Sequence, residues 1–300
     1  MYHANYQQAE DGSWKIPCLP FALIGTGLKS SPLPAMHNNL YRIMNMNWCY
    51  TAYECPEANN ARYFMDCLRM GHYRGMNVGF PYRRLAAEEA DYTSPDARAA
   101  GAANVLVREE THLSAYNTEG FGALYALERM TGNCLTGASL CIFGAGSTAR
   151  AIASSALSMR VNDVVLFSHD ISSAQAAVKK IQNQYPDEKC RITSADYSML
   201  GMIVPFSDVI INDEDMRCFS LKKQLQSEGL FKSNQLIMDT DFKHGNDTPI
   251  LNSAKKSGCV FYNGMEMFIE QAVLSVKIWA HILGLHFEVD RGALRVALNE

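Results

Sequence analysis

No stretch of this 300-residue chain approaches the roughly 18 uninterrupted apolar residues that a membrane-spanning helix needs, so no such span is expected. The start, MYHANYQQAEDGSWK, lacks the charged-then-apolar layout of a signal peptide. The nine cysteines (18, 49, 55, 67, 134, 141, 190, 218 and 259) include no C-x-x-C spacing and are odd in number, which argues against a zinc cluster or a disulfide framework. Reduced thiols in a soluble, cytoplasmic protein are the expectation. Blocks of like charge are also missing. A formal net charge of -4 with scattered Lys and Arg provides no field to draw nucleic acid or an anionic membrane, so neither is expected as a partner. The eight histidines, including His281 and His286, show no metal-binding spacing, and no metal is expected. What remains, at 48% hydrophobic and 19% charged residues, is a globular chain suited to small-molecule chemistry.

The clearest local pattern is the apolar run Leu140-Cys141-Ile142-Phe143, followed by Gly144-Ala145-Gly146-Ser147-Thr148-Ala149 and then the helix former RAIASSALSM. Strand, tight turn and helix follow one another. The first glycine permits the reversal, the second lets backbone N–H groups approach a pyrophosphate, and the small sixth residue lets helix and strand pack closely. The same residues also suit a glycine-rich turn that binds no nucleotide. A second apolar run, Val164-Val165-Leu166-Phe167, completes a βαβ unit with parallel strands. Further short runs at Ile192-Thr193, Val209–Ile211, Leu236–Met238 and Val260–Tyr262 continue the alternation of a doubly wound sheet. The N-terminal third repeats it with strands at Phe21–Ile24, Thr51–Tyr53 and Met76–Val78 and helices near 35–46 and 62–70. Two α/β lobes are expected. A long helix follows from Met265 to about Leu283.

The order of motifs resembles the shikimate dehydrogenase family over nearly the whole chain. Its landmarks here are Ser31-Pro32-Leu33-Pro34-Ala35-Met36-His37-Asn38, Gly75 to Tyr82, Gly101-Ala102-Ala103-Asn104, Asn117-Thr118-Glu119-Gly120-Phe121-Gly122, Gly144-Ala145-Gly146, Thr248-Pro249-Ile250-Leu251, and Gly264-Met265-Glu266-Met267 with Gln271. The resemblance implies an α/β protein of two lobes. A substrate-binding domain over 1–123, completed by the C-terminal helix at 265–300, joins a Rossmann-type dinucleotide domain over 124–264, with catalysis in the cleft. It implies hydride transfer between NAD or NADP and a cyclic hydroxy acid such as shikimate or quinate, in a monomer or homodimer. Ser31, Asn77, Asn104 and Gln271 would bind the substrate. Gly144, Ala145, Gly146, Ser147, Thr148, Ser168, His169, Asp170 and Gly264 would bind the cofactor. From the residues alone, Asn77 and Asn104 read equally as turn-stabilising amides, and His37 as an ordinary polar residue near a helix start.

Several positions depart from the family. Arg83 stands where its lysine acid/base is expected, and an arginine can anchor charge but does not shuttle a proton. Glu119 replaces the paired aspartate. Leu33, Gly79 and Phe242 replace a serine, a threonine and a tyrosine, so a substrate with fewer hydroxyls fits. The nicotinamide-facing segment is shortened to Asn212-Asp213-Glu214-Asp215-Met216. The strand end Ser168-His169-Asp170 lacks an arginine for a 2′-phosphate, while Asp170 suits a ribose hydroxyl, which favours NAD over NADP. Asp170 also reads as a helix cap. The alternative function is a catalytically silent homologue that binds a nucleotide or a small carboxylate as a sensor.

Overall fold

The computed structural model describes residues 7–8, 14–15, 18–186, 190–214, 225, 229–242, 248–296 and 298. Two compact units emerge. The first comprises 1–97, 102–118 and 272–300, and the second 98–101 and 119–271. The divisions stand at 118/119 and 271/272, against 123/124 and 264/265 read from the sequence.

A two-residue ribbon, β1 (Gln7–Gln8) with β2 (Trp14–Lys15), opens the first unit. Its main sheet has six strands: β3 (Leu19–Gly25), β4 (Trp48–Glu54), β5 (Gly75–Val78), β6 (Tyr92–Thr93), β7 (Val105–Glu109) and β8 (His112–Tyr116), in the order β4-β3-β5-β7-β8-β6. The β3, β4 and β5 pairings are parallel, whereas β7 runs antiparallel to both β5 and β8. The hairpin from β7 to β8 escapes the sequence reading because its turn, at Glu110-Thr111, carries no glycine or asparagine; Glu110 itself takes the left-handed conformation at φ 54°. Helices α1 (Leu33–Ile43), α2 (Ala58–Arg69), α3 (Arg83–Glu89) and α4 (Pro95–Ala100) follow individual strands. Trp279 is fully buried against Phe21, with ring centroids 4.7 Å apart, and Gly75 has no Cβ because one there would lie 2.2 Å from the Trp279 Nε1. Met65 and Met76 lie in a buried cluster with Ile24 and Leu106, whereas Met70 is 73% exposed at the end of α2.

The second unit contains the doubly wound sheet. Strands β9 (Ser139–Phe143), β10 (Asp163–Phe167), β11 (Arg191–Ala195), β12 (Val209–Asn212), β13 (Leu236–Asp239) and β14 (Val260–Tyr262) are all parallel, in the order β11-β10-β9-β12-β13-β14. Alternation along a strand explains why these runs are apolar throughout. Leu140 and Ile142 face one buried cluster with Val164, Leu166 and Ile211, while Cys141 and Phe143 face another with Phe167, Ile210 and Ile237. Both faces are covered by helix or loop, as a parallel sheet requires. The covering elements include α5 (Glu119–Thr131), α6 (Ser147–Ser158), α7 (Ile171–Gln184), the short α8 (Leu200–Ile203) and α9 (Pro249–Lys256). The boundary at 271 lies within α10 (Met265–Ile282), and α11 (Arg291–Val296) is the last helix among the described residues. Among the described residues no helix is long and apolar enough to cross a membrane, and no cluster of metal-ligating side chains occurs.

Candidate active site

In the first unit, Asn77 of β5 meets Asn104 through a hydrogen bond, Ser31 lies in the turn after β3, and Gln271 belongs to the second unit. Glu54, at the end of β4, accepts the backbone N–H groups of Gly27 and Leu28 and so holds the turn that precedes Ser31. Ser31 Oγ then accepts from the Leu33 N–H at 3.4 Å at the start of α1. Gly79 follows β5 and donates its N–H to the Ile24 carbonyl at 2.7 Å; a Cβ at Gly79 would meet that oxygen at 3.4 Å, ordinary contact. A methyl group is therefore accommodated at this position.

Asn77 is buried and hydrogen-bonded on both ends of its amide. Tyr50 OH donates to its Oδ1 at 2.7 Å, and its Nδ2 donates to the Asn104 carbonyl at 3.2 Å and to Ser275 Oγ at 3.0 Å. Both amide hydrogens are engaged within the protein, so Asn77 serves the architecture and retains one lone pair for a ligand. Asn104 is more open: its Nδ2 donates to Thr118 Oγ1 and its Oδ1 accepts the Thr118 N–H, each at 2.9 Å, which leaves a second amide hydrogen. Arg83 opens α3, half-buried, and its carbonyl accepts the Ala103 N–H at 2.8 Å, so its backbone is tied to the Asn104 loop. Tyr50, Thr118 and Ser275 complete this network. The sequence singled out none of the three as a site residue: Thr118 lies within a landmark motif without a role of its own, and a lone tyrosine on a strand carries no motif.

His37, read as an ordinary polar residue near a helix start, is instead fully buried. Its ring stacks on Tyr50 with centroids 4.3 Å apart, and Nδ1 lies 3.2 Å from Tyr41 OH. Burial lowers its pKa to about 3, so the imidazole is neutral.

In the second unit, Glu119 is the first residue of α5 and only 2% exposed. The helix macrodipole favours a negative group at that end. Gly120 follows it because a Cβ there would lie 2.2 Å from the Ala151 carbonyl oxygen, so α5 and α6 touch backbone to backbone. Two residues further, a Cβ at Gly122 would lie 2.8 Å from Gln271 Cγ, which places Gln271 of α10 over the first turn of α5. Below it, Arg129 pairs with the buried carboxylates of Glu266 and, at 2.8 Å, Glu270. Gly264 has a different reason for lacking a side chain: a Cβ would meet the Thr240 carbonyl oxygen at 2.0 Å.

The glycine turn lies where the strand order reverses, between β9 and β12, the place where open α/β sheets bind ligands. Gly144 takes φ +112°, and Gly146 is exposed and caps α6 without a side chain. The N–H groups of Ser147 and Thr148 have no acceptor among the described residues. The third amide of the helix, that of Ala149, donates to Asp213 Oδ2 at 3.0 Å. The turn therefore fits a pyrophosphate, with two open donors and room at Gly146, while a carboxylate stands beside the position. Of the shortened segment, Asn212, Asp213 and Glu214 are described; Asp215 and Met216 lie outside the described residues.

At the end of β10, Asp170 caps α7, its Oδ1 accepting from the Ser173 N–H at 3.1 Å and Ser172 Oγ at 2.7 Å. These bonds, the Ser172 hydroxyl foremost, hold its carboxyl below the usual range. Ser168 Oγ accepts the Asp170 N–H at 3.1 Å, and His169 packs against Tyr197 with centroids 4.5 Å apart. Phe242, in the place of the expected tyrosine, stacks on Phe268 at 4.6 Å.

A parallel sheet in the order 3-2-1-4-5-6 with a glycine-rich first turn defines the second unit as a Rossmann-type dinucleotide fold. The family model described as "Shikimate dehydrogenase substrate binding domain" matches residues 23–106. A shikimate dehydrogenase (NADP(+)) from Alkaliphilus oremlandii is 26% identical over 262 residues, covering 87% of this chain and 91% of the relative. One from Pyrococcus furiosus is 29% identical over 260 residues, covering 86% and 89%. The crystal structure of shikimate 5-dehydrogenase from Listeria monocytogenes in complex with shikimate and NAD superposes with a TM-score of 0.82 at 24% identity, covering 93% of this chain and 96% of that one. Over most of its length the chain is thus similar to shikimate dehydrogenases, and residues 23–106 match the model of their substrate-binding domain.

Proposed function

We propose that this protein is an oxidoreductase of the shikimate dehydrogenase type, transferring a hydride between a nicotinamide dinucleotide and a cyclic hydroxy acid with fewer hydroxyl contacts than shikimate receives in the family pattern. The observation that carries the reading is the glycine turn at the topological switch point with the Ser147 and Thr148 amides open, in a chain that retains Asn104, Glu119 and Gln271. A bound nicotinamide supplies the hydride acceptor. Oxidation of the alcohol releases the carbinol hydrogen as hydride and the hydroxyl hydrogen as a proton, and the protein must receive that proton.

Glu119, a buried carboxylate, accepts it directly or through a water. Arg83 binds the substrate carboxylate or the developing alkoxide. Asn104, with an unengaged amide hydrogen, and Gln271 orient the ring oxygens, and Ser31 offers its hydroxyl to the carboxylate. Asn77 works mainly by holding the Asn104 loop. Gly144 to Thr148 receive the diphosphate, and Ser168, His169 and Asp170 the adenosine ribose; Gly264 maintains the close approach of backbone beside Thr240. The absence of an arginine at 168–170, and the free second carboxylate oxygen of Asp170, support NAD over NADP. The domain assignment follows the same reading, with substrate binding in residues 1–123 and 265–300 and dinucleotide binding in 124–264.

The test is steady-state turnover of shikimate, quinate and less hydroxylated cyclic acids with each dinucleotide, on the natural protein and on Arg83→Lys combined with Glu119→Asp. Activity in the natural protein that rises in the double variant supports the reading. A folded protein that turns over none of these, in either form, favours the catalytically silent homologue, for which the carboxylate of Asp213 beside the turn is the specific observation.

A further inference from the structure

We propose that Asp213 is an internal anion that occupies the N-terminus of α6 and competes there with a diphosphate, so that this one residue sets the dinucleotide affinity of the turn. The inference rests on the dinucleotide reading above and deepens it. A helix start needs acceptors for its first amides, and the residue at the cap of α6 is Gly146, which has no side chain to supply one. The acceptor comes instead from the end of β12. Asp213 is held at three points: its N–H donates to the Phe143 carbonyl at 2.8 Å, Oδ1 accepts from Thr240 Oγ1 at 3.1 Å, and Oδ2 accepts the Ala149 N–H at 3.0 Å.

This carboxylate stands at the point where the turn makes room for phosphate. Asp213 Oδ2 is 3.6 Å from where a Cβ on Gly146 would be, and the Asp213 carbonyl is 3.3 Å from the corresponding point on Gly144. A second carboxylate flanks the turn on the Gly144 side, where Glu214 Oε2 lies 3.5 Å from the Cβ position while accepting from Tyr197 OH at 3.2 Å. The Ser147 and Thr148 amides attract an anion and the two carboxylates repel it. A diphosphate reaches the helix only by displacing Asp213 or by tolerating a like charge at contact distance. Capping alone would make Asp213 a stabilising residue and nothing more. Competition makes a further demand, that removal of its charge creates affinity.

Calorimetric titration of the intact protein with inorganic pyrophosphate and, separately, with NAD tests this in the natural chain, Asp213→Asn and Asp213→Ala. Asparagine keeps the size and the acceptor oxygen, so the helix start survives in that variant. Both variants are expected to bind pyrophosphate and NAD about tenfold more tightly or better. Pyrophosphate affinity that is unchanged or weaker in both variants overturns the proposal, as does measurable NAD binding of equal affinity in all three proteins. Tighter pyrophosphate binding with no NAD binding in any of the three supports the competition and instead removes the dinucleotide reading.

Discussion

The two polar regions of this protein solve opposite problems. At the carboxyl ends of β3 to β5, Asn77 sits in a network in which Tyr50, Ser275 and the Asn104 carbonyl engage its amide. At the end of β9, the Ser147 and Thr148 amides are left open and the neighbouring amide is held by a carboxylate from another strand. The first region is preorganised by hydrogen bonds that a ligand need not break. The second is electrostatically contested. The first region thus carries its polarity in satisfied amides and hydroxyls, and the second in open amides beside the carboxylates of Asp213 and Glu214.

The sharpest way to break this contrast is to disturb the backbone contact beneath the second region. Gly120→Ala forces a methyl to 2.2 Å from the Ala151 carbonyl, and the variant should lose about 3 kcal/mol of stability or more in urea unfolding. A loss under about 1 kcal/mol would show that α5 and α6 can separate freely. The hydrogen-bonded region has its own signature in acid. His37 is neutral when folded, with its pKa lowered to about 3 against 6.5 in the unfolded chain, so protonation favours unfolding. Its contribution is fully present above pH 6.5 and is lost as pH falls toward 3, at about 1.4 kcal/mol per pH unit. His37→Phe should flatten the acid limb of a stability-against-pH curve; an unchanged slope would assign it to other groups.

Smaller effects separate architecture from recognition. Asn77→Ala removes the acceptor of Tyr50 OH and a donor to Ser275 Oγ and should cost about 2 kcal/mol in denaturant unfolding. Tyr50→Phe, which removes one of these bonds, should cost about 1 kcal/mol. If Asn77→Ala instead affects only substrate KM, its amide faces the ligand and not the network. The smallest change concerns the cofactor: His169→Arg with Asp170→Thr should shift the ratio of NADP to NAD affinity by about tenfold toward NADP, measured by competitive titration. An unmoved ratio would show that the end of β10 does not choose between them.

The strands of the second unit were legible because parallel strands buried on both faces run as short apolar segments, as Leu140 to Phe143 do. The glycine turn was legible because a positive φ at Gly144 leaves few alternatives to glycine. The β7–β8 hairpin was not, since its turn lacks the usual residues and Glu110 adopts the left-handed conformation unaided by composition. Burial of His37 was not, since one histidine near a helix start has the same spelling on a surface and in an aromatic stack.

Local order along the chain thus determined the two α/β units, the sequence of their elements and the family landmarks, because periodicity and turn chemistry act over a few residues. Partners distant in sequence were decided only by folding. Asn77 meets Ser275 across a separation of 198 residues, Arg129 meets Glu270 across 141, and Asp213 meets the start of α6 across 64. A hydrogen bond depends on where two groups end up in space, and nothing in the spelling of either segment names the other.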